Sequence, residues 1–194
     1  MRFINYSKKV VFISFFISFS AGCTKNIQPQ LPEGELSIED RLPIKVGLLL
    51  DEKTKSYAYK SMGKFLIGKA LESISLEALK TVFSGVEEVK VVEPFPSGVA
   101  GVAQVKLLGF YMAGRGFAHD SYIVLEATFI DKEGNKIWRD LILGEGTSGV
   151  FWGDRVKSVE DSIQDAISEL IYEIRRSDEI KEFAVRKFVS DKSS

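Results

Sequence analysis

Two runs of alternating apolar residues, Ser121–Asp131 and Lys136–Glu145, stand on either side of the turn sequence Lys132-Glu133-Gly134-Asn135. In the first run Ile123, Leu125, Ala127 and Phe129 share one face, while Glu126 and Thr128 mark the other. A period of two with a Gly/Asn turn between the runs predicts an antiparallel hairpin. A hairpin with one apolar face is not stable alone and needs a cover. The chain supplies one in Arg155–Arg176, where Val156, Val159, Ile163, Ala166, Ile167, Leu170, Ile171 and Ile174 recur at helical spacing. Ser158 with Asp161 is expected to cap its regular part, and Arg175 and Arg176 suit the negative end of the helix dipole. A short helix, Asp178–Phe188, is expected after it.

Upstream, Pro43–Leu50 alternates strictly, with Ile44, Val46, Leu48 and Leu50 on one side, and reads as a half-buried strand. Thr54–Gly63 reads as a loop or short edge strand. Ile67, Leu71, Ile74, Ala78 and Val82 then predict a helix from Ile67 to Ser84, ended by Gly85. Strands are expected over Val86–Glu93 and Val102–Met112. The expected fold is α+β, a mostly antiparallel sheet of four to five strands with two main helices packed on one face. One domain, residues 43–190, holds it.

The first 22 residues have a different character. Arg2, Lys8 and Lys9 form a basic head, Val10–Phe19 is apolar, and Ser20, Ala21 and Gly22 precede Cys23. As a helix the apolar stretch covers about 15 Å, half of a ~30 Å hydrocarbon core, so it reads as a secretory signal and not a permanent span. Ser20-Ala21-Gly22-Cys23 resembles the lipobox of bacterial lipoproteins, although Ser20 stands where a large aliphatic residue is usual. The resemblance implies cleavage before Cys23 and lipidation of its sulfur. More than one acyl chain holds a protein stably on a membrane where a single chain does not. Thr24 after the cysteine implies, by the same resemblance, the outer membrane and a periplasmic body. Residues 23–42, with Pro29, Pro32 and Gly34, read as a flexible tether of about 25 Å reach.

Cys23 is the single cysteine, so no internal disulfide forms. The net charge of −1 includes the +3 of an acid-free leader, leaving −1 − 3 = −4 on the rest. Without a Lys/Arg stripe, such a body has little attraction for phosphate backbones, and no nucleic-acid partner is expected. Charges such as Glu87, Glu88, Lys53 and Lys55 read as solvated surface.

Little in the body suggests chemistry. His119 is the only histidine and lacks companions at metal-ligand spacing, so neither metal nor cofactor is expected. His119-Asp120-Ser121 holds the residue types of a hydrolytic triad, but consecutive strand residues point to opposite sides and relay no proton; a turn before a strand is the plainer reading. Ala113-Gly114-Arg115-Gly116-Phe117 lacks the Lys-Ser/Thr of a phosphate loop and reads as a flexible connection, with Arg115 a candidate for a headgroup or partner. Gly144, Gly146, Ser148, Gly149, Phe151, Trp152 and Gly153 read as tight turns and strand twist. Phe151 and Trp152 are the first candidates for a partner surface, because aromatics anchor interfaces; packing under the long helix is the plainer reading.

Taken together, the lipobox, the Ile44–Leu50 strand, the hairpin around Lys132–Asn135 and the closing Ser158–Phe188 helices resemble the YajG-like family of small bacterial outer-membrane lipoproteins. Activators of peptidoglycan synthases and auxiliary components of envelope transporters share this order of elements. The resemblance implies fold and location and carries over no catalytic residue. The expected function is that of a lipid-anchored, non-enzymatic envelope lipoprotein that binds or scaffolds a protein partner. The alternative is an auxiliary or carrier lipoprotein of an envelope lipid or small-molecule transporter, which requires an apolar cavity between sheet and helices.

Overall fold

The computed structural model describes residues 24–31, 41–61, 63–115, 118–149 and 155–192. Its principal sheet has five strands: β2 (Leu42–Leu50), β5 (Phe83–Glu88), β6 (Gly101–Arg115), β7 (Ala118–Asp131) and β8 (Lys136–Thr147), in the order β5-β2-β6-β7-β8. The long ladders β6/β7 and β7/β8 are antiparallel, whereas β2 runs parallel to both of its neighbours. Two short strands, β3 (Tyr59–Lys60) and β4 (Lys64–Phe65), join β1 (Thr24–Lys25) in a separate three-stranded sheet. The helices are α1 (Glu52–Lys55), α2 (Ile67–Leu79), α3 (Arg155–Arg176) and α4 (Asp178–Lys192). The expected α+β class is the one observed.

The predicted hairpin forms through the expected turn. Asp131 accepts hydrogen bonds from the backbone N–H groups of Glu133 (3.0 Å) and Asn135 (2.8 Å) and from the Asn135 side chain (3.0 Å). Gly134 takes φ +83°, which glycine adopts without steric cost. Ile123, Leu125, Ala127 and Phe129 all face the core, together with Val159, Ile163, Ala166, Ile167 and Leu170 of α3. Phe129 also stacks on Phe83 and meets Phe183 of α4 edge-on, joining three elements in one aromatic group.

Several expectations are corrected. The helix begun at Ile67 stops at Leu79 and not at Ser84. The Thr81 hydroxyl bonds to the Ala78 carbonyl, and the Val82 carbonyl accepts from Leu42 of β2, so strand pairing claims the segment that periodicity assigned to the helix. Gly85 therefore lies inside β5, opposite Lys45. Strand β2 is buried on both sides at its end, since Val89 and Val102, with Val92, Phe95 and Val99, cover Leu49. Ser158 is not a cap: it lies one turn inside α3 and donates to Ser121 Oγ (2.9 Å) and the Gly146 carbonyl (3.0 Å). Helix α4 extends to Lys192, and Ser177 caps it by accepting from the Ile180 N–H.

The tether is corrected over its first residues. Thr24–Lys25 pairs in parallel with Lys64–Phe65, Ile27 is buried in the core, and the Gln28 N–H donates to Glu160 (2.9 Å). A buried apolar side chain and three elements of contact hold this segment against the body. Composition missed it because one isoleucine among prolines and amides carries no periodicity.

Candidate functional site

Gly144 and Gly146 both lie within β8, Gly144 inside the expected strand and Gly146 just beyond its expected end, and form the contact between α3 and β8. A Cβ on Gly144 would stand 2.1 Å from the Ser162 carbonyl oxygen, and one on Gly146 would stand 2.0 Å from that of Ser158. Ser158, Ser162 and Ala166, at intervals of four, form the matching small-residue face of the helix. The long helix thus lies directly on the inner side of the edge strand, which leaves the other side of β6–β8 with no helix upon it among the described residues.

Register shows what that outer side presents. Tyr111 pairs with Tyr122 and through it with Glu145; Gly109 with Val124 and then Leu143; Lys106 with Glu126 and then Leu141. The register slips between Leu107 and Gly109, and this bulge carries the extra residue Leu108 outward. Leu108 is 55% exposed, Tyr111 63%, Leu141 62% and Leu143 50%. A solvated antiparallel face normally alternates to polar residues, so four large exposed apolar side chains on β6 and β8, with Tyr122 and Val124 of the intervening β7 between them, form a patch of the kind that marks an interaction surface.

Charged groups border the patch. Arg139 donates through Nε (3.0 Å) and Nη2 to Glu126, and that hydrogen bond, which outweighs the opposing effect of burial, holds the Glu126 carboxyl below its ordinary range. An apolar centre with an ionic rim is the usual composition of a protein interface. Two backbone N–H groups of edge strand β8 are occupied by carboxylates, Leu141 by Asp140 (2.8 Å) and Glu145 by Asp165 (2.9 Å). Blunting an edge in this way opposes strand addition, so the open surface is the face. The signal in the sequence was Leu141-Ile142-Leu143, an unbroken apolar run in a strand whose neighbouring inward positions are glycines.

The other candidates fall as follows. Cys23, Phe151 and Trp152 lie outside the described residues, as does the leader. Arg115 ends β6, paired with Ala118, so 113–115 are ladder and not loop. His119 lies inside β7 and not in a turn before it. Its Nε2 accepts from Arg155 Nε at 2.8 Å, and its backbone exchanges hydrogen bonds with Ser148. Ser121 is fully buried and donates to the Ser158 carbonyl (2.6 Å), while Asp120 pairs across the ladder on alternate register. Histidine and serine are engaged in tying α3 to the sheet. Lys55 is not solvated surface: it is 17% exposed and bridges Glu72 (3.0 Å) and Glu88. Glu87 pairs with Lys45.

Between sheet and helices, the apolar void lined by residues such as Leu79, Val105, Phe129 and Leu170 measures about 10 Å³. That is barely room for a single water and admits no acyl chain. Among the described residues no group of three or more His, Cys, Asp or Glu is placed to hold a metal, and no helix is long and apolar enough to cross a membrane.

No family model matches the chain, and no curated protein matches it by sequence. Solved structures are similar in fold. A Xanthomonas campestris protein of the family model DUF330 superposes with TM-score 0.59 at 10% identity, covering 78% of this chain and 95% of its own. A minor lipoprotein from Acinetobacter baumannii superposes at 0.41 with 15% identity, covering 68% and 92%. A lipoprotein from Neisseria meningitidis does so at 0.39 with 11% identity, covering 70% and 100%. The first shares the fold; the two bacterial lipoproteins are more distant structural neighbours.

Proposed function

We propose that the protein is a non-enzymatic envelope lipoprotein, acylated at Cys23 and held on the periplasmic side of the outer membrane, that binds a protein partner through the outer face of β6–β8. The observation that carries the partner reading is the uncovered apolar patch of Leu108, Tyr111, Leu141 and Leu143 inside a charged rim. The anchor rests on the basic and apolar leader ending in small residues before the single cysteine. The order of strand, hairpin and terminal helices supports the YajG-like reading. Engagement of His119 and Ser121 in structural hydrogen bonds favours a binding role over catalysis. The transporter-carrier alternative needs a lipid-sized apolar space between sheet and helices, and the void beneath Leu79 and Leu170 among the described residues is about 10 Å³.

Two measurements test the reading separately. Cells given a clickable fatty acid should label the wild-type chain and not Cys23→Ala; equal labelling rejects the anchor. Photocrosslinking from position 141 in the anchored protein should give one discrete adduct that Leu143→Arg abolishes without altering the circular dichroism spectrum. An adduct indifferent to Leu143→Arg places the partner elsewhere.

A further inference from the structure

The docked N-terminal segment brings the residue that follows Cys23 into a lysine-rich corner of the fold. Thr24 is the register partner of Lys64, which is in turn the cross-strand partner of Lys60. These three stand in one row across β1, β4 and β3, all exposed, with Lys25 next to Thr24 and Lys69 at the start of α2 also exposed. Residues 53–71 contain five lysines and no Asp or Glu, in a body whose net charge is −4 by the count above. Lys55 is taken up by Glu72 and Glu88, whereas Lys25, Lys60, Lys64 and Lys69 make no ion pair among the described residues. The pairing of β4 with β3 and β1 sets Lys60 and Lys64 beside Thr24.

Like charges directly opposite each other in a ladder destabilise it, so Lys60 facing Lys64 is a cost that an anionic surface would relieve. Distance decides whether such a surface is within reach. Paired strands are about 4.8 Å apart, which places the Lys64 Cα about 5 Å from that of Thr24, the residue bonded to the anchor cysteine. Screening in physiological salt acts over about 8 Å, and a lysine side chain closes much of the remaining gap.

We propose that Lys60 and Lys64 form a headgroup-binding platform that seats the body directly on an anionic phospholipid surface beside the anchor. The inference rests on the lipoprotein reading for its biological setting, but the platform binds lipid without the acyl group. The apolar face of β6–β8, on a different sheet, stays available to a partner.

The test uses the unacylated chain from Thr24 onward, which holds every described element and whose folding is checked by circular dichroism. Flotation with vesicles rich in phosphatidylglycerol is compared with flotation on phosphatidylcholine vesicles. A lysine at an anionic surface contributes about a fivefold gain in partitioning, so Lys60→Gln/Lys64→Gln should lower it about 25-fold. Lys132→Gln/Lys136→Gln, an equal charge loss at the β7–β8 turn, should leave it unchanged. Raised salt should abolish the preference. Equal flotation on both vesicle types, an unchanged partition in the Lys60/Lys64 variant, or preference for a single-stranded nucleic acid over the vesicles would each overturn the proposal. Failure of fatty-acid labelling at Cys23 in cells would reject the anchor and leave this result standing.

Discussion

Replacing Gly146 by alanine adds one methyl group at the closest approach of α3 to the sheet. Its Cβ would stand 2.0 Å from the Ser158 carbonyl oxygen and 2.6 Å from the Ser162 nitrogen, where ordinary contact begins at 3.4 Å. The helix backbone must retreat by 3.4 − 2.0 = 1.4 Å. Both obstacles are main-chain atoms of a regular helix, so no rotamer change relieves them. A gap of 0.5–1 Å already forfeits about a quarter to a half of a dispersion contact, and Val159, Ile163, Ala166 and Ile167 all depend on this seating. The retreat also strains the hydrogen bond from Ser158 Oγ to the Gly146 carbonyl. Overpacking of this kind costs about 3 kcal/mol, which in a domain of this size lowers Tm by about 6–12 °C. Thermal unfolding followed by circular dichroism measures it, with Gly109→Ala as the control: that glycine is also in a strand, but a Cβ there meets nothing within 4 Å. Gly144→Ala should behave like Gly146→Ala, and the double variant should lose less than the sum, because one displacement of the helix accommodates both methyl groups. Equal stability of Gly146→Ala and Gly109→Ala would refute the account of close helix-on-sheet packing.

Other consequences are open to direct measurement. Asp131→Ala removes an acceptor of three hydrogen bonds in the β7–β8 turn and should cost about 2 kcal/mol in urea unfolding. Burial opposes ionisation of Asp131, but the bonds from Asn135 and Glu133 outweigh it and hold its carboxyl below the usual aspartate range; its contribution is therefore complete above that range and lost as pH falls through the lower folded value, and Asp131→Asn should flatten this acid limb. Lys55→Met leaves Glu72 and Glu88 without their shared cation; the Glu88 carboxyl, now held low chiefly by its hydrogen bond from Lys55, should return upward in an NMR titration. Leu141→Arg should change stability by less than about 0.5 kcal/mol, since its side chain is 62% exposed, while abolishing partner capture.

The hairpin, the long helix and the opening strand were readable because each buries one face, and burial imprints its period on the residues. Periodicity misled where a segment served a different partner: Val82 continues the stripe of α2 yet belongs to the pairing of β2 with β5. The candidate site was harder to read. Leu141 and Leu143 look like core residues in a list of apolar positions, and their exposure follows from which side of β8 the helix occupies. That choice is made by Gly144 and Gly146 together with Ser158, Ser162 and Ala166, whose complementarity appears only when helix and strand are face to face.

Local order along the chain thus carried the α+β class and most strand and helix positions, because hydropathy and turn chemistry act between near neighbours. Docking of Thr24–Leu31, the gathering of Lys60 and Lys64 beside Thr24, the parallel neighbours of β2 and the open face of β6–β8 came from contacts between distant segments. Such contacts depend on register and shape, and a one-dimensional pattern of apolar and polar residues does not encode which distant segments will meet.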